Sequence, residues 1–198
     1  VPWDYYFGLR LDALKEELAA QLPGWLDVWH ELEVLSALAT FGYLNPSNTF
    51  PDITDDQESP IYRAESLGHP LITNEERVTN SFTFSDLGEI VVITGSNMAG
   101  KSSFLRTLGI NLCLAYSGAP VVADALHTSL FRLYTSIRVT DSLDDGISYF
   151  YAEVRRLKGL LQAVEADKAQ PVFFLIDEIF RGTNNRERLI GSRSFIRA

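Results

Sequence analysis

The sequence has 198 residues, of which 46% are hydrophobic, and its formal net charge is -9. This length and apolar content fit about one globular domain and exclude a disordered chain, while the negative charge disfavours DNA or an anionic membrane as a direct partner. A single cysteine excludes an internal disulfide, and no apolar run is long enough to cross a bilayer, so we expect a cytoplasmic location without membrane contact.

Residues 1–44 predict a helical hairpin. Leucines recur at spacings of three and four over residues 9–22, which is typical of one face of a helix, and Pro23 and Gly24 then predict a break. Apolar residues recur every third position over residues 26–38. We therefore expect two amphipathic helices that pack against each other.

Residues 45–60 are rich in Pro, Asn, Asp and Ser, which favour turns, and they predict a linker. An α/β domain is predicted over residues 61–198, and the apolar residues 88–95 predict its first strongly buried strand. Apolar and polar residues alternate over residues 131–139, as in a half-buried strand. An apolar stripe then predicts a helix that faces the core; its members are Phe150, Val154, Leu157, Leu161 and Val164.

The segment "TGSNMAGKSS" matches the pattern G-x-x-x-x-G-K-[ST] of phosphate-binding loops. Its glycines let backbone N–H groups point at phosphate oxygens, and the predicted helix after it adds the positive end of its dipole. We predict that Lys101 reaches the β and γ phosphates of ATP and that Ser102 binds the bridging Mg²⁺. A glycine-rich surface turn is the alternative, which the predicted strand before the loop and the helix after it disfavour. The predicted nucleotide-binding residues of this segment are Gly95, Ser96, Asn97, Met98, Ala99, Gly100, Lys101, Ser102 and Ser103.

The segment "PVFFLIDEIF" predicts an apolar strand that ends in two carboxylates. We predict that Asp177 binds the Mg²⁺, commonly through water, and that Glu178 orients or deprotonates the attacking water. Lys101 and Glu178 are thus the candidate catalytic residues, and a solvated strand end is the alternative. An acid directly after the magnesium aspartate favours ATP hydrolysis over a small kinase, and the absence of an N-K-x-D motif disfavours a GTPase.

In this order and spacing, "TGSNMAGKSS", "DDGISYFYAEV" and "DEIFRGTNN" resemble the ATPase domain of the MutS family of DNA mismatch-repair and related proteins. The weaker segments "ELEVLSALA", "ESLGHPLI" and "VTNSF" fit the same family. The resemblance implies an ABC-type P-loop ATPase domain that acts as a dimer, with each ATP held between one subunit's phosphate loop and the other's "DDGISYF" segment. Ser96, Ala99 and Phe180 replace the usual proline, glycine and glycine, which indicates a divergent branch.

The resemblance also assigns roles to individual positions. Ser148 would reach the γ-phosphate of the partner's nucleotide, although it could equally cap its own helix, and Asn97 would lie near the γ-phosphate. Arg77 stands where the family often stacks an aromatic residue on adenine, and a guanidinium can stack as well. Val78 beside it is assigned to the same nucleotide site. His69 is expected to hold a local turn.

The family pattern continues into a later strand and a histidine that senses the γ-phosphate. The three histidines of this sequence, His30, His69 and His127, all precede Asp177, and the sequence stops at Ala198 within an apparent helix. We therefore interpret the chain as a segment of a longer protein with an incomplete sheet. Alone, it is expected to be a weak ATPase or none.

These observations predict an ATP-hydrolysing domain that uses ATP to switch a DNA-engaged homodimer of a MutS-like repair protein. DNA contacts are expected mostly outside this segment. One alternative is a nucleotide-gated dimerisation module that binds ATP without significant turnover, and another is a recombination-related MutS homologue. A chromosome-organising ATPase is a further alternative, but it should carry a long coiled coil between the two nucleotide motifs, and the sequence shows none.

Overall fold

A computed structural model describes residues 2–55, 59–96, 98–137, 149–166, 170–180 and 184–197. The chain divides into two compact units, residues 1–46 and residues 47–198. Helices and strands are mixed along the second unit, which makes it an α/β structure. The helices are α1 (Trp3–Ala19), α2 (Leu22–Leu44), α3 (Lys101–Tyr116), α4 (Tyr149–Glu165) and α5 (Asn185–Arg197). The strands are β1 (Asp52–Thr54), β2 (Tyr62–Leu67), β3 (Asn80–Phe84), β4 (Ala125–Ser129), β5 (Arg132–Ser136) and β6 (Val172–Ile176).

The first unit consists of α1 and α2, as the leucine spacing predicts. The break falls at residues 20–21, because Pro23 lies in the first turn of α2. Its missing amide is tolerated there, since the first N–H groups of a helix have no intrahelical acceptor. Neither helix has a buried residue within the described chain. The leucines that the pattern assigned to packing are therefore exposed or, at Leu18 and Leu38, only partly buried.

A four-stranded sheet in the order β1-β4-β2-β3 lies in the second unit. Strand β2 is antiparallel to both β4 and β3, whereas β1 is parallel to β4. Strand β1 comes from the stretch predicted as a linker, and Thr49 also bridges to Val121, so part of that stretch hydrogen-bonds into the sheet. Tyr62, Ala64 and Leu67 of β2 are buried and contribute to the core.

Strands β5 and β6 form a separate parallel pair, and Asp177 directly follows β6. Leu133 is in register with Phe173, and Ser136 with Ile176. Helix α3 packs on this pair, and a Cβ atom on Gly109 would lie 3.0 Å from a side-chain carbon of Leu175. One core unites α3, both sheets and the loop after α3. Its buried residues are Tyr62, Ala64, Leu67, Leu108, Leu112, Ala115, Val121, Ala123, Leu126, Phe173 and Leu175.

The prediction of a buried strand over residues 88–95 is wrong for the described structure. This segment has no strand assignment, and Ile90, Val91 and Val92 are 44%, 43% and 69% exposed. An apolar run becomes a buried strand only where neighbouring strands pair with its backbone and cover its faces. Among the described strands, β6 pairs with β5 and none pairs with this segment.

Helix α4 forms where the apolar stripe predicts it, but its buried face differs from the predicted one. Val154 and Val164 are 37% and 57% exposed, whereas Leu157 and Leu160 are buried. The inward row also contains Glu153, which is 3% exposed. Residues 153, 157 and 160 follow the spacing of one helical face, so the buried row shares Leu157 with the predicted stripe but also includes Glu153 and Leu160, which the prediction left out.

Asn111 connects three segments from the centre of α3. Its side chain is fully buried, and its amide donates to the carbonyl oxygens of Gly68 at 3.0 Å and Thr107 at 2.8 Å. Its amide oxygen accepts a hydrogen bond from the backbone N–H of Val122 at 2.9 Å. Helix α3 is thereby held to the loops at residues 68 and 122.

We predict that Asn111→Leu lowers the free energy of unfolding by about 3 kcal/mol, because it leaves buried backbone groups without partners. Urea denaturation measures the change. Asn80→Ala, on the exposed start of β3, is the matched control and should change the stability by no more than about 0.5 kcal/mol. Equal losses in the two variants would contradict this role for Asn111.

Candidate nucleotide-binding site

The segment from Gly95 to Ser102 forms a loop that leads directly into α3. Gly100 caps the helix with a φ of 87°, a left-handed conformation that favours glycine. A Cβ atom there would meet nothing within 4 Å, so the backbone conformation and not lack of space favours glycine. Met98 also has a positive φ, of 68°. The Phe104 N–H donates to the Gly100 carbonyl at 2.8 Å and closes the first helical turn. The first amides of α3 therefore face the loop, in the arrangement that binds anions at helix N-termini.

Lys101 folds back over this loop. Its Nζ donates to the carbonyl oxygens of Gly95 at 2.8 Å and Ser96 at 2.7 Å. The ammonium group is therefore held among the loop's own acceptors. Phosphate oxygens that enter the loop would compete with these neutral carbonyls, and a charged acceptor forms the stronger hydrogen bond with an ammonium group.

The two predicted nucleotide motifs meet at Ser102 and Asp177, which are 75 positions apart in the sequence. The Ser102 hydroxyl donates to Asp177 Oδ2 at 2.6 Å, and this contact is partly buried. The backbone N–H of Asp177 donates to the Ser136 carbonyl at 3.0 Å, so the end of the β5–β6 pair fixes its position. The predicted proximity of these two side chains is thus present in the structure.

Glu178 follows in a turn and has a left-handed φ of 53°. Its Oε2 lies 3.8 Å from Nη2 of Arg188 on α5, and both side chains are 38% exposed. A pair that is this accessible to solvent contributes at most about 1 kcal/mol to stability. It places the positive charge of Arg188 beside the candidate catalytic carboxylate, and the sequence analysis did not identify Arg188.

Phe180 is held from two sides. It has a φ of 57°, and its backbone N–H donates to Glu153 Oε1 on α4. Its ring lies against Gly191 of α5, where a Cβ atom would come within 2.7 Å of a ring carbon. Phe180 therefore occupies a left-handed position without being glycine, and both flanking helices fix it there.

Sequence reasoning also missed Glu153 and Gly191. One signal was available for Glu153, because it stands four positions before Leu157 and hence on a face that contains core residues. A carboxylate at such a position indicates a specific partner. No local pattern marks Gly191, because its role depends on the distant side chain of Phe180.

Arg77 holds the loop that follows β2. Its guanidinium donates to the carbonyl oxygens of His69 and Ile72 and to Asn74 Oδ1. Its aliphatic part lies so close to Gly68 that a Cβ atom there would come within 2.4 Å of it. Each of its three nitrogens donates within the loop, and the face of the guanidinium is the part that could stack on a nucleotide base.

Two further predicted positions lie on the same loop. Val78 is 79% exposed beside Arg77. The backbone N–H of Leu71 donates to His69 Nδ1 at 3.2 Å, which fits the expected local role of this histidine. Desolvation, together with the charges of Arg106 and Arg77, lowers the pKa of His69 below its usual value and favours the neutral ring.

The remaining predicted residues are divided between the loop and undescribed parts of the chain. Asn97 and Ser148 lie outside the described residues, so the structure gives no position for them. Ser96, Ala99 and Ser103 lie in the loop or at the start of α3, with the Ala99 N–H donating to the Ser96 carbonyl at 3.3 Å.

None of the described helices is long and apolar enough to cross a membrane.

The family model for MutS domain V matches residues 91–197, which include both nucleotide motifs. The chain belongs to the MutS family. It is 31% identical to the DNA mismatch repair protein MutS of Haloquadratum walsbyi over 88% of this chain and 18% of the relative. It is 35% identical to the endonuclease MutS2 of Thermus thermophilus over 70% of this chain and 18% of the relative. The match thus spans about a fifth of the length of each relative.

We predict opposite effects for two glycine substitutions in helices. Gly191→Ala should lower the free energy of unfolding by about 1 to 2 kcal/mol, because the new methyl group overlaps the Phe180 ring. Gly159→Ala is the matched control on α4, where a Cβ atom meets nothing within 4 Å, and it should stabilise the protein by about 0.5 to 1 kcal/mol. Chemical denaturation measures both, and a gain in stability for Gly191→Ala would contradict the packing of Phe180 on α5.

Proposed function

We propose that this chain is the ATP-binding and ATP-hydrolysing part of a MutS-like DNA repair protein, in which ATP switches a DNA-engaged dimer. The hydrogen bond of 2.6 Å between Ser102 and Asp177 is the observation that carries the proposal. It joins the phosphate-binding motif to the acidic strand end, as an ABC-type P-loop domain requires. Family membership supports the same function.

The residues of the loop fit a triphosphate with magnesium. Backbone amides from Gly95 to Ser103 and the ammonium of Lys101 would hold the phosphates, and oxygen atoms of Ser102 and Asp177 would bind Mg²⁺. Within the described part of the chain, no group of three or more His, Cys, Asp or Glu residues could hold a metal ion by itself. A site with few protein ligands suits Mg²⁺, which keeps waters and binds substrate phosphates. When bound, the ion would neutralise charge on the phosphates.

Glu178 is the candidate residue for activating water. It directly follows Asp177, and it is partly exposed, so water can reach its carboxylate. The carboxylate would orient the attacking water and accept its proton as the bond to the γ-phosphorus forms. The bond from the γ-phosphorus to the bridging oxygen breaks in the same displacement, which yields ADP and phosphate.

The dimer and the DNA contacts enter the proposal through the family resemblance. Ser148 is proposed to act on the partner's nucleotide, and Arg77 with Val78 to lie beside the base. The net charge of -9 favours DNA contacts outside this segment. We also propose the domain limits of 1–44 for the helical hairpin, 45–60 for the linker and 61–198 for the ATPase domain. Within the linker, β1 pairs with β4, so its second half packs with the ATPase domain.

A nucleotide-gated module without significant turnover is the second candidate. The contact between Glu178 and Arg188 favours it, because an ion pair with Arg188 could occupy the carboxylate that should meet water. A recombination-related MutS homologue that does not act in mismatch repair is a further alternative, and one relative is named an endonuclease, MutS2. Hydrolysis measurements separate the first two functions.

We predict that Lys101→Ala weakens ATP binding by roughly tenfold to a hundredfold, because a charged hydrogen-bond donor to the phosphates is lost. Isothermal titration with magnesium and a non-hydrolysable ATP analogue measures the affinity. Lys158→Ala removes an exposed lysine from α4 and should leave the affinity unchanged. Equal affinities for wild type and Lys101→Ala would refute the assignment of the phosphate loop.

We predict that Glu178→Gln in the complete protein preserves ATP affinity and lowers the hydrolysis rate by on the order of a hundredfold. The amide keeps the shape of the side chain but is a poor base. Steady-state phosphate release gives the rate, and Glu165→Gln at the exposed end of α4 is the control. ATP binding without turnover in the wild type would favour the gated module, whereas unchanged turnover in Glu178→Gln would remove this residue from the reaction.

A further inference from the structure

The turn from Asp177 to Phe180 carries unusual backbone geometry. Glu178 and Phe180 both have left-handed φ values, 53° and 57°, although neither is glycine. Such conformations are unfavourable for residues with a Cβ atom, and they persist where the surrounding structure enforces them. The strained turn includes the candidate catalytic carboxylate, so contacts that hold the turn also set the position of that carboxylate.

Glu153 supplies the contact from α4. Its side chain is 3% exposed, and Oε1 accepts the hydrogen bond from the backbone N–H of Phe180. Its other oxygen, Oε2, is buried and has no hydrogen-bond partner among the described residues. Among the residues that the structure describes, this interior carboxylate thus uses one of its two oxygens.

Packing alone does not account for an acid at this position. The neighbouring inward residues of α4, Leu157 and Leu160, are apolar and buried. A buried carboxylate that lacks partners is unfavourable compared with an apolar side chain of similar size. The feature that distinguishes Glu153 from these leucines is an oxygen that reaches the Phe180 N–H, two residues after Glu178.

We infer that Glu153 is a positioning residue for ATP hydrolysis. It accepts the Phe180 N–H, holds the strained turn and so fixes the direction in which Glu178 presents its carboxylate. Helix α4 thereby controls the geometry of the hydrolytic turn from outside the phosphate loop. This inference rests on the proposed function, since it concerns the orientation of the proposed water-activating residue.

Two substitutions in the complete protein distinguish the effect of side-chain length from the effect of charge. Glu153→Gln keeps an oxygen acceptor at the same distance from the backbone, whereas Glu153→Asp keeps the charge but is one methylene shorter. We expect Glu153→Gln to retain the wild-type hydrolysis rate. Glu153→Asp should lower kcat by roughly tenfold to a hundredfold with unchanged ATP affinity, because a misplaced group reduces the rate without affecting the phosphate loop.

Hydrogen exchange provides a readout that does not depend on activity. The amides of the 177–180 turn should exchange faster in Glu153→Asp and at the wild-type rate in Glu153→Gln. Leu160→Ala is the control for loss of packing on the same helix, and it should lower the melting temperature without changing kcat.

The inference is overturned if Glu153→Asp keeps the wild-type kcat and exchange pattern, if Glu153→Gln is impaired as strongly as Glu153→Asp, or if Leu160→Ala reproduces the loss of kcat. Failure of the proposed function is seen separately, as unchanged turnover in Glu178→Gln. The exchange measurement still decides in that case whether Glu153 holds the turn.

Discussion

The contact between the Ser102 hydroxyl and the Asp177 carboxylate determines how the rest of the site is arranged. It requires the N-terminus of α3 and the carboxyl end of β6 to meet at one point. Close packing of α3 on β6 at Gly109 makes this possible, because a larger residue there would crowd Leu175 and separate the two elements. The buried amide of Asn111 then ties α3 to the neighbouring loops.

The turn after β6 adds a second constraint, because it is strained and carries the candidate catalytic group. Helix α4 holds it through Glu153, and α5 holds it through the contact of Gly191 with Phe180. Arg188 approaches Glu178 itself from α5. Both helices thus contact the turn that carries the candidate catalytic carboxylate, so movement of either helix would change the geometry of this turn without altering the loop at residues 95–102.

Local rules in the sequence were sufficient for α3, β6 and the proximity of Ser102 to Asp177. Those features depend on residue types at fixed spacing, such as Gly100 in a left-handed conformation before a helix. The predicted strand at 88–95 was wrong because burial depends on neighbouring strands, which a local apolar pattern does not supply. Arg188 and Gly191 were missed for a related reason, since each contacts a residue of the turn after β6 and no local pattern marks that contact. Glu153 did carry a signal, because an acid four positions before Leu157 lies on a face with core residues.

The most direct test of the proposed function is an experimental structure of the protein with magnesium and a non-hydrolysable ATP analogue. The proposal predicts that Lys101 Nζ leaves the carbonyl oxygens of Gly95 and Ser96 for the β and γ phosphates, and that Mg²⁺ binds between Ser102 and Asp177. An analogue bound away from residues 95–103, or one bound while Lys101 keeps both carbonyl contacts, would contradict it.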